Sequence, residues 1–346
     1  PIVFFSLVSG VANLNNITSL GRIGIKTIGL YLFTTIFAIT ISLSIGNLID
    51  PGSSVSGISA EKTLNINSPP SIASVFLNII PENPFKSLVE GEMLQVIFFA
   101  ILFGACMATL KQNKILKDIV FKLNDLVLKM LEVLMKIAPI GIFCLIAKTF
   151  SSQGIESIFE LFKYFLGVVM VLIIHLFVIY LPLVKLIAKV NITSFFSGLK
   201  QTLLFAFSTS SSSATIPITL NNLEKKFNVK KKISSFTVPL GATINMDGTA
   251  IMQGMATIFI SNFYGIELIF VDFLTIIITA ALASIGTAGV PGVGMIMLGM
   301  VLNQVGLPLE GIAIVMGVDR LLDMLRTALN VAGDATVTLV INKLEK

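Results

Sequence analysis

Charge is scarce in this chain of 346 residues. Lys and Arg (24) together with Asp and Glu (19) make up 12% of it, about half the share usual in a soluble domain, and mean hydropathy is +0.93. Apolar surface on this scale exceeds what one core can hide, which excludes a soluble globular domain and predicts an integral membrane protein. Cysteine is nearly absent: Cys106 and Cys144 each stand alone, with neither a second Cys nor a His at ligand spacing. That leaves no argument for a disulfide framework or a zinc site, and both read as small packing or lipid-facing hydrophobes. The single histidine, His175, falls in an apolar stretch and reads as a packed or interfacial imidazole without an assigned role. Strand alternation is missing too, so helices and not a barrel do the crossing. The chain starts at Pro1 without Met, and the apolar stretch from Ile2 to Leu14 is too short to span. It reads as the end of a helix whose beginning is missing, with no cleavable signal pattern.

In place of charge there are long apolar runs. Thr27 to Leu48 and Ile158 to Ile187 suffice to cross a hydrocarbon core of about 30 Å at about 1.5 Å per helical residue. Apolar blocks fall at roughly 2–14, 22–50, 71–110, 115–150, 155–189, 193–227, 231–263, 268–303 and 311–342. Basic residues cluster in alternate connections: Arg22 and Lys26; Lys111, Lys114 and Lys117; Lys185, Lys189 and Lys200; Lys225, Lys226, Lys230, Lys231 and Lys232; Lys343 and Lys346. By the positive-inside rule these face the cytoplasm. The connections 51–70, 261–267 and 303–311 hold Lys62 as their only basic residue and face outward.

Block 193–227 is flanked on both sides by basic clusters, so both its ends are cytoplasmic and it must enter and return. At its midpoint lies FSTSSSSATIP, Phe207 to Pro217. Block 268–303 has acidic or neutral connections on both sides and carries Ser284-Ile-Gly-Thr-Ala-Gly-Val-Pro-Gly-Val-Gly294 at its centre; it reads as a second hairpin, dipping from outside. Arms of about 12 to 17 residues reach the midplane without crossing, at about 1.5 Å per residue. Non-helical backbone at that depth is tolerated where protein buries it or it lines a polar cavity, so the tips read as site and not linker. Hairpin plus interrupted helix (193–263), then hairpin plus long helix (268–342), form an inverted repeat, the architecture of secondary transporters.

The last block carries the densest chemistry. Asp319, Asp323, Arg326, Thr327, Asn330 and Asp334 fall within about 100° of helix circumference at about 100° per residue. Buried charge costs several kcal/mol per ion without a partner, so four charges on one face exceed what helix-to-helix adhesion needs. Arg326 offers a planar fork suited to a carboxylate, and Asp323, three residues earlier, suits an ammonium. Thr243-Ile-Asn-Met-Asp-Gly-Thr249 interrupts the preceding helix, because short polar side chains and Gly248 compete with helical hydrogen bonding. Unwound carbonyls with the oxygens of Asn245 and Asp247 would form a hard, all-oxygen cage for a dehydrated monovalent cation. Gly286, Gly289, Gly292 and Gly294 let backbone approach a ligand, Pro217 and Pro291 stop helices, and Ser210 to Ser213 offer hydroxyls and amides at a helix start.

In order and spacing, SSSSAT, NMDGT, ASIGTAGVPG and DRLLDMLRTALNVAGD resemble the dicarboxylate/amino acid:cation symporters, a family that includes glutamate transporters. The resemblance covers essentially the whole chain apart from a first helix and the start of a second. It implies an all-α polytopic membrane protein of the glutamate-transporter fold, with inverted repeats and two re-entrant helical hairpins. It also implies a homotrimer in which a transport domain (22–50 and 155–346) moves as an elevator against a scaffold (1–21, the remnant of a second helix, and 71–150, the fourth and fifth helices). The implied substrate contacts are Arg326, Asp323, Thr327, Asn330, Thr249 and Ser211, with backbone at Ser212, Val290 and Gly294. Three sodium sites are implied as well: Gly241, Asn245 and Asn330 carbonyls with Asp334; Tyr31, Thr34, Thr35, Asn245 and Asp247; and carbonyls of Thr243, Met246, Ser284, Ile285 and Thr287. The stretch YLFTT, Tyr31 to Thr35, resembles the family's third-helix motif.

Gln253 stands where animal carriers that exchange protons and potassium have Glu, which weighs against proton co-transport and potassium counter-transport. Ser210 stands where archaeal aspartate carriers place Arg. Asp247 and Asp334 favour sodium. The expectation is therefore a sodium-coupled symporter of aspartate or glutamate, multi-pass in a bacterial-type plasma (inner) membrane, with sodium as coupling ion, no organic cofactor, no nucleic-acid partner and no enzymatic activity. Within the family the alternative is a proton- or sodium-coupled symporter of four-carbon dicarboxylates such as succinate, malate or fumarate. An intramembrane serine hydrolase would need a base beside a tip serine. A passive channel would show a selectivity filter and no substrate fork.

Overall fold

Small residues and helix breakers, not strand patterns, shape the chain. The computed structural model describes residues 2–12, 21–53, 80–90, 93–110, 114–153, 156–284, 289 and 291–345, and among them there are helices and no strands. In chain order the helices are α1 (Ile2–Ala12), α2 (Gly21–Ile49), α3 (Pro84–Glu90), α4 (Met93–Thr109), α5 (Lys114–Gln153), α6 (Glu156–His175, continued by π-helical turns at Leu176–Tyr180 and Leu183–Ile187), α7 (Ile192–Thr209), α8 (Ser212–Phe227), α9 (Lys231–Ile244), α10 (Asp247–Phe263), α11 (Phe270–Ser284), α12 (Val293–Gln304) and α13 (Gly311–Leu344).

Two of these helices, over Ile23–Ile49 and Phe159–Ile187, are long and apolar enough to cross a bilayer. On α6 the residues Phe159, Phe162, Leu166, Met170, Ile173 and Phe177 are exposed at helical spacing, a stripe that water would penalise and hydrocarbon accepts.

α10 is the central element. Every residue of it but Asn262 is buried, and it packs against α2, α6 and α13. Apolar side chains gain little from leaving lipid for protein, so close approach and hydrogen bonds hold such helices together, at about 0.6 kcal/mol per interhelical bond. Gly254 and Gly46 supply the approach: a Cβ on Gly254 would stand 3.0 Å from Ser42 Oγ, and one on Gly46 would stand 3.1 Å from the Ile258 side chain. Ser42 Oγ donates to Ile251 O at 2.6 Å across the same seam.

The break foreseen at TINMDGT lies where expected. α9 ends at Ile244, Asn245 (ψ 87°) and Met246 (φ −116°, ψ 40°) leave helical conformation, and α10 begins at Asp247. α7 and α8 pair as a tight helical hairpin whose turn is Ser210 in the left-handed region (φ 50°) followed by Ser211 as the N-cap of α8. α11 and α12 also pack together, with Gly292 (φ 86°) opening α12. α1, α4 and α5 gather a separate apolar cluster around Val8, Ala12, Val96, Ala100, Met107 and Val120, which meets Ala283, Val293, Met297 and Met300 of α11 and α12.

Candidate functional site

Three chain breaks converge on the middle of α13. The N-terminus of α10 comes so close that a Cβ on Gly248 would stand 2.7 Å from Arg326 O. Gly248 N donates to Asn330 Oδ1 at 2.7 Å, fixing the start of α10 on the polar stripe. The two hairpins meet there as well: Ser211 Oγ donates to Gly289 O at 2.8 Å, and Ser213 N reaches the same carbonyl at 3.3 Å. Between them lies a narrow cleft of about 20 Å³ lined by Ser210, Ser212, Met246, Thr249, Gly289, Val293, Gly294, Asp323, Thr327 and Asn330.

Arg326 is not among the lining residues but lies behind Asp323, Thr327 and Gly294, and is 1% exposed. Its Nη2 lies 2.8 Å from Asp319 Oδ1 and 2.9 Å from Asp323 Oδ1. Its Nε and Nη1 have no hydrogen-bond partner among the described residues, and a Cβ on Gly294 would stand 3.6 Å from Nη1. Buried donors without partners cost about 1–3 kcal/mol, more for charged groups, so a ligand carboxylate arriving there would relieve an existing penalty. Two acids around one guanidinium leave a net negative charge, which suits an ammonium on the same ligand.

Of the sequence-predicted substrate residues, Asp323, Thr327, Asn330, Thr249, Ser212 and Gly294 line the cleft, and Ser211 ties the hairpins together at its edge. Val290 lies outside the described residues. Asp323 is not free for a ligand alone, since it already accepts from Arg326.

A second polar node lies behind the cleft. Asn245 Nδ2 donates to Asn330 O (2.7 Å) and to Asp334 Oδ1 (2.8 Å), while Asn245 Oδ1, buried, has no donor facing it among the described residues. Gly241 fits against this node because any Cβ there would collide with Asp334 Oδ1 and Tyr31 Oη. Asp334 is 2% exposed and Asp247 0%, and among the described residues neither is ion-paired to Lys or Arg. Two buried carboxylates and an unsatisfied amide oxygen are oxygens that could hold a cation.

Thr35 Oγ1 donates to Asp247 Oδ1 at 2.5 Å, joining α2 to the node. Tyr31 Oη donates to Thr237 O (3.1 Å) and Thr34 Oγ1 to Tyr31 O (3.0 Å), so those two predicted residues are present but turned to backbone. Thr243 and Ser284 donate within their own helices, to Leu240 O and Ala281 O. Met246 Sδ accepts from Asn330 Nδ2 at 3.5 Å. Ile285 and Thr287 fall outside the described residues.

Sequence reasoning missed two members. His175, given no role, is fully buried with Nε2 3.1 Å from Asp247 Oδ2, and Tyr180 Oη donates to the same oxygen at 2.7 Å.

A family model described as the sodium:dicarboxylate symporter family matches residues 1–344. The chain is 36% identical to the proton/sodium-glutamate symport protein of Geobacillus stearothermophilus over 354 residues, covering 100% of the chain and 84% of that protein. It is also 36% identical to the proton/glutamate-aspartate symporter of Escherichia coli (strain K12), covering 100% of the chain and 81% of that protein. Identity to excitatory amino acid transporter 3 of Mus musculus is 32%, over 100% of the chain and 76% of that protein.

Proposed function

Since the chain belongs to the sodium:dicarboxylate symporter family, a family of membrane transporters, we propose that it is a sodium-coupled secondary active symporter of aspartate or glutamate. The observation that carries this reading is Arg326: a buried guanidinium with two unpaired donor groups beside a small polar cleft, flanked by two acids whose combined charge exceeds its own. Such a pair of opposite subsites selects a zwitterion with an additional carboxylate. A four-carbon dicarboxylate would leave Asp323 facing a second anion.

Asp247, Asp334 and Asn245 Oδ1 support a dehydrated sodium ion as the coupling ion. Oxygens from α2, α9, α10 and α13 would hold it, so its binding would draw the same elements together that close the cleft. The hairpins α7–α8 and α11–α12 are read as re-entrant from opposite faces, supported by the basic residues Lys189, Lys225 and Lys226 around the first and by connections around the second that carry Glu267 and Glu310 and no Lys or Arg. α1, α4 and α5 are read as a scaffold, and the apolar cluster they share with Ala283, Val293, Met297 and Met300 as the seam along which 22–50 and 155–346 would move within a homotrimer. Hydrolysis is a poorer fit: the sole His is bonded to Asp247, and Ser211 donates to Gly289 O.

Competition in proteoliposomes tests the substrate. With labelled aspartate at fixed sodium, unlabelled aspartate and glutamate should displace uptake while succinate and serine should not. Displacement by succinate as strong as by aspartate would favour the dicarboxylate reading.

A further inference from the structure

α6 departs from α-helical hydrogen bonding directly beside the ion node. Leu181 N–H bonds to Leu176 O and Ala188 N–H to Leu183 O, each five residues back. In an α-helix, residues five apart point about 140° away from each other at about 100° per residue, whereas i→i+5 bonding brings them onto one side. Such single π turns within helices are frequent at functional sites.

Here the aligned pair is His175 and Tyr180. Their rings meet edge to face at 4.8 Å between centroids, and both aim a polar atom at Asp247 Oδ2. With hydrogen on Nε2 the imidazole donates, and its Nδ1, buried, has no partner among the described residues. α13 makes room for the phenol: a Cβ on Gly333 would collide with Tyr180 Oη. Nothing in helix stability requires a buried His with a spare nitrogen at this point.

Resting on the reading of Asp247 as a sodium ligand, we infer that His175 and Tyr180 are positioning residues, and that the π turn of α6 holds two donors on Asp247 Oδ2 so that Oδ1, with Thr35, is presented to sodium. Two hydrogen bonds occupy the lone pairs of Oδ2, fix the carboxylate plane and make Asp247 a one-oxygen ligand of set direction. Outer-shell partners of this kind typically change ion affinity by about 10- to 100-fold when removed. They touch neither substrate nor ion, so the effect belongs in sodium affinity and not in the recognition of substrate at saturating sodium.

The test combines sodium titration of aspartate uptake in proteoliposomes with sodium chloride titration of thermal unfolding in detergent. Tyr180→Phe keeps the ring and loses the donor; it should raise half-saturating sodium about 10-fold in both assays. The KM for aspartate at saturating sodium should stay within about twofold, a split that a merely packing role would not produce. His175→Gln keeps an N–H donor and should stay near wild type, while His175→Leu should shift as Tyr180→Phe does. This His175 pair decides the matter even where Tyr180→Phe fails to fold. Equal behaviour of the Gln and Leu variants, or an unshifted Tyr180→Phe in a sodium-dependent background, overturns the inference alone. Wild-type uptake that ignores sodium overturns the ion-site reading and this inference with it.

Discussion

Arg326 Nη2 lies 2.8 Å from Asp319 Oδ1, two helical turns earlier on the same helix. Asp319 thus pairs with a guanidinium proposed to receive a ligand carboxylate, and the two would share it once that carboxylate reaches Nε and Nη1. Asp319→Asn should lower the melting temperature of the ligand-free protein by several degrees, since removing one partner of a buried ion pair is costly while Asp323 retains part of the pairing. Saturating sodium and aspartate should narrow that gap, because the ligand supplies the missing negative charge. An equal loss with and without ligand would mean that no carboxylate is delivered to Arg326.

Ser212 lines the cleft, and Ser211 holds the hairpins together through Gly289 O. On the proposed reading the tip would cover the substrate chiefly through backbone. Ser212→Ala should therefore reduce aspartate uptake by less than about 10-fold, within the roughly 1 kcal/mol of one neutral hydrogen bond. Arg326→Thr should abolish it, and a greater loss from Ser212→Ala than from Arg326→Thr would reverse the assignment.

Gly333 faces Tyr180 Oη and Asn245 Nδ2 with no room for a methyl group, whereas a Cβ on Gly29 of α2 would meet nothing within 4 Å. Gly333→Ala should destabilise the protein by about 1–3 kcal/mol and disable sodium-driven uptake, as overpacking of a close-fitted site does. Gly29→Ala should be neutral or stabilising by up to about 1 kcal/mol, because alanine favours helix over glycine. Thermal unfolding of both in the same detergent compares them, and equal effects would contradict the close fit at Gly333.

Much of this was legible in the sequence. Asn245 to Gly248 break the helix because short polar side chains and glycine compete with helical hydrogen bonding, and the structure has its break there. The spacing of Asp319, Asp323 and Arg326 foretold one face, and the ion pairs follow from it. What spacing could not reveal is the engagement of Asp323 with Arg326 before any ligand arrives, which depends on side-chain conformation. Nor could it reveal His175 and Tyr180 at Asp247. Read with α-helical periodicity, residues 175 and 180 point apart; only the change to i→i+5 bonding at Leu176–Tyr180 aligns them. Apolar residues on all sides of that stretch carry no periodic signal that would disclose the change.

Asp334 tests the ion node from its other end. It is buried with Asn245 Nδ2 as its hydrogen-bond donor and no Lys or Arg ion pair among the described residues. Asp334→Asn removes the charge at nearly constant volume, so it should raise half-saturating sodium at least about 10-fold, the equivalent of roughly 1.4 kcal/mol. An unchanged sodium response would remove Asp334 from the site.

Coupled uptake is measured most directly by accumulation against a gradient. Proteoliposomes carrying the wild-type protein should concentrate labelled aspartate when sodium is high outside. They should lose that accumulation when the sodium gradient is collapsed or when Arg326 is replaced by Thr. Aspartate that only equilibrates across the membrane, or that accumulates equally without a sodium gradient, would contradict the account.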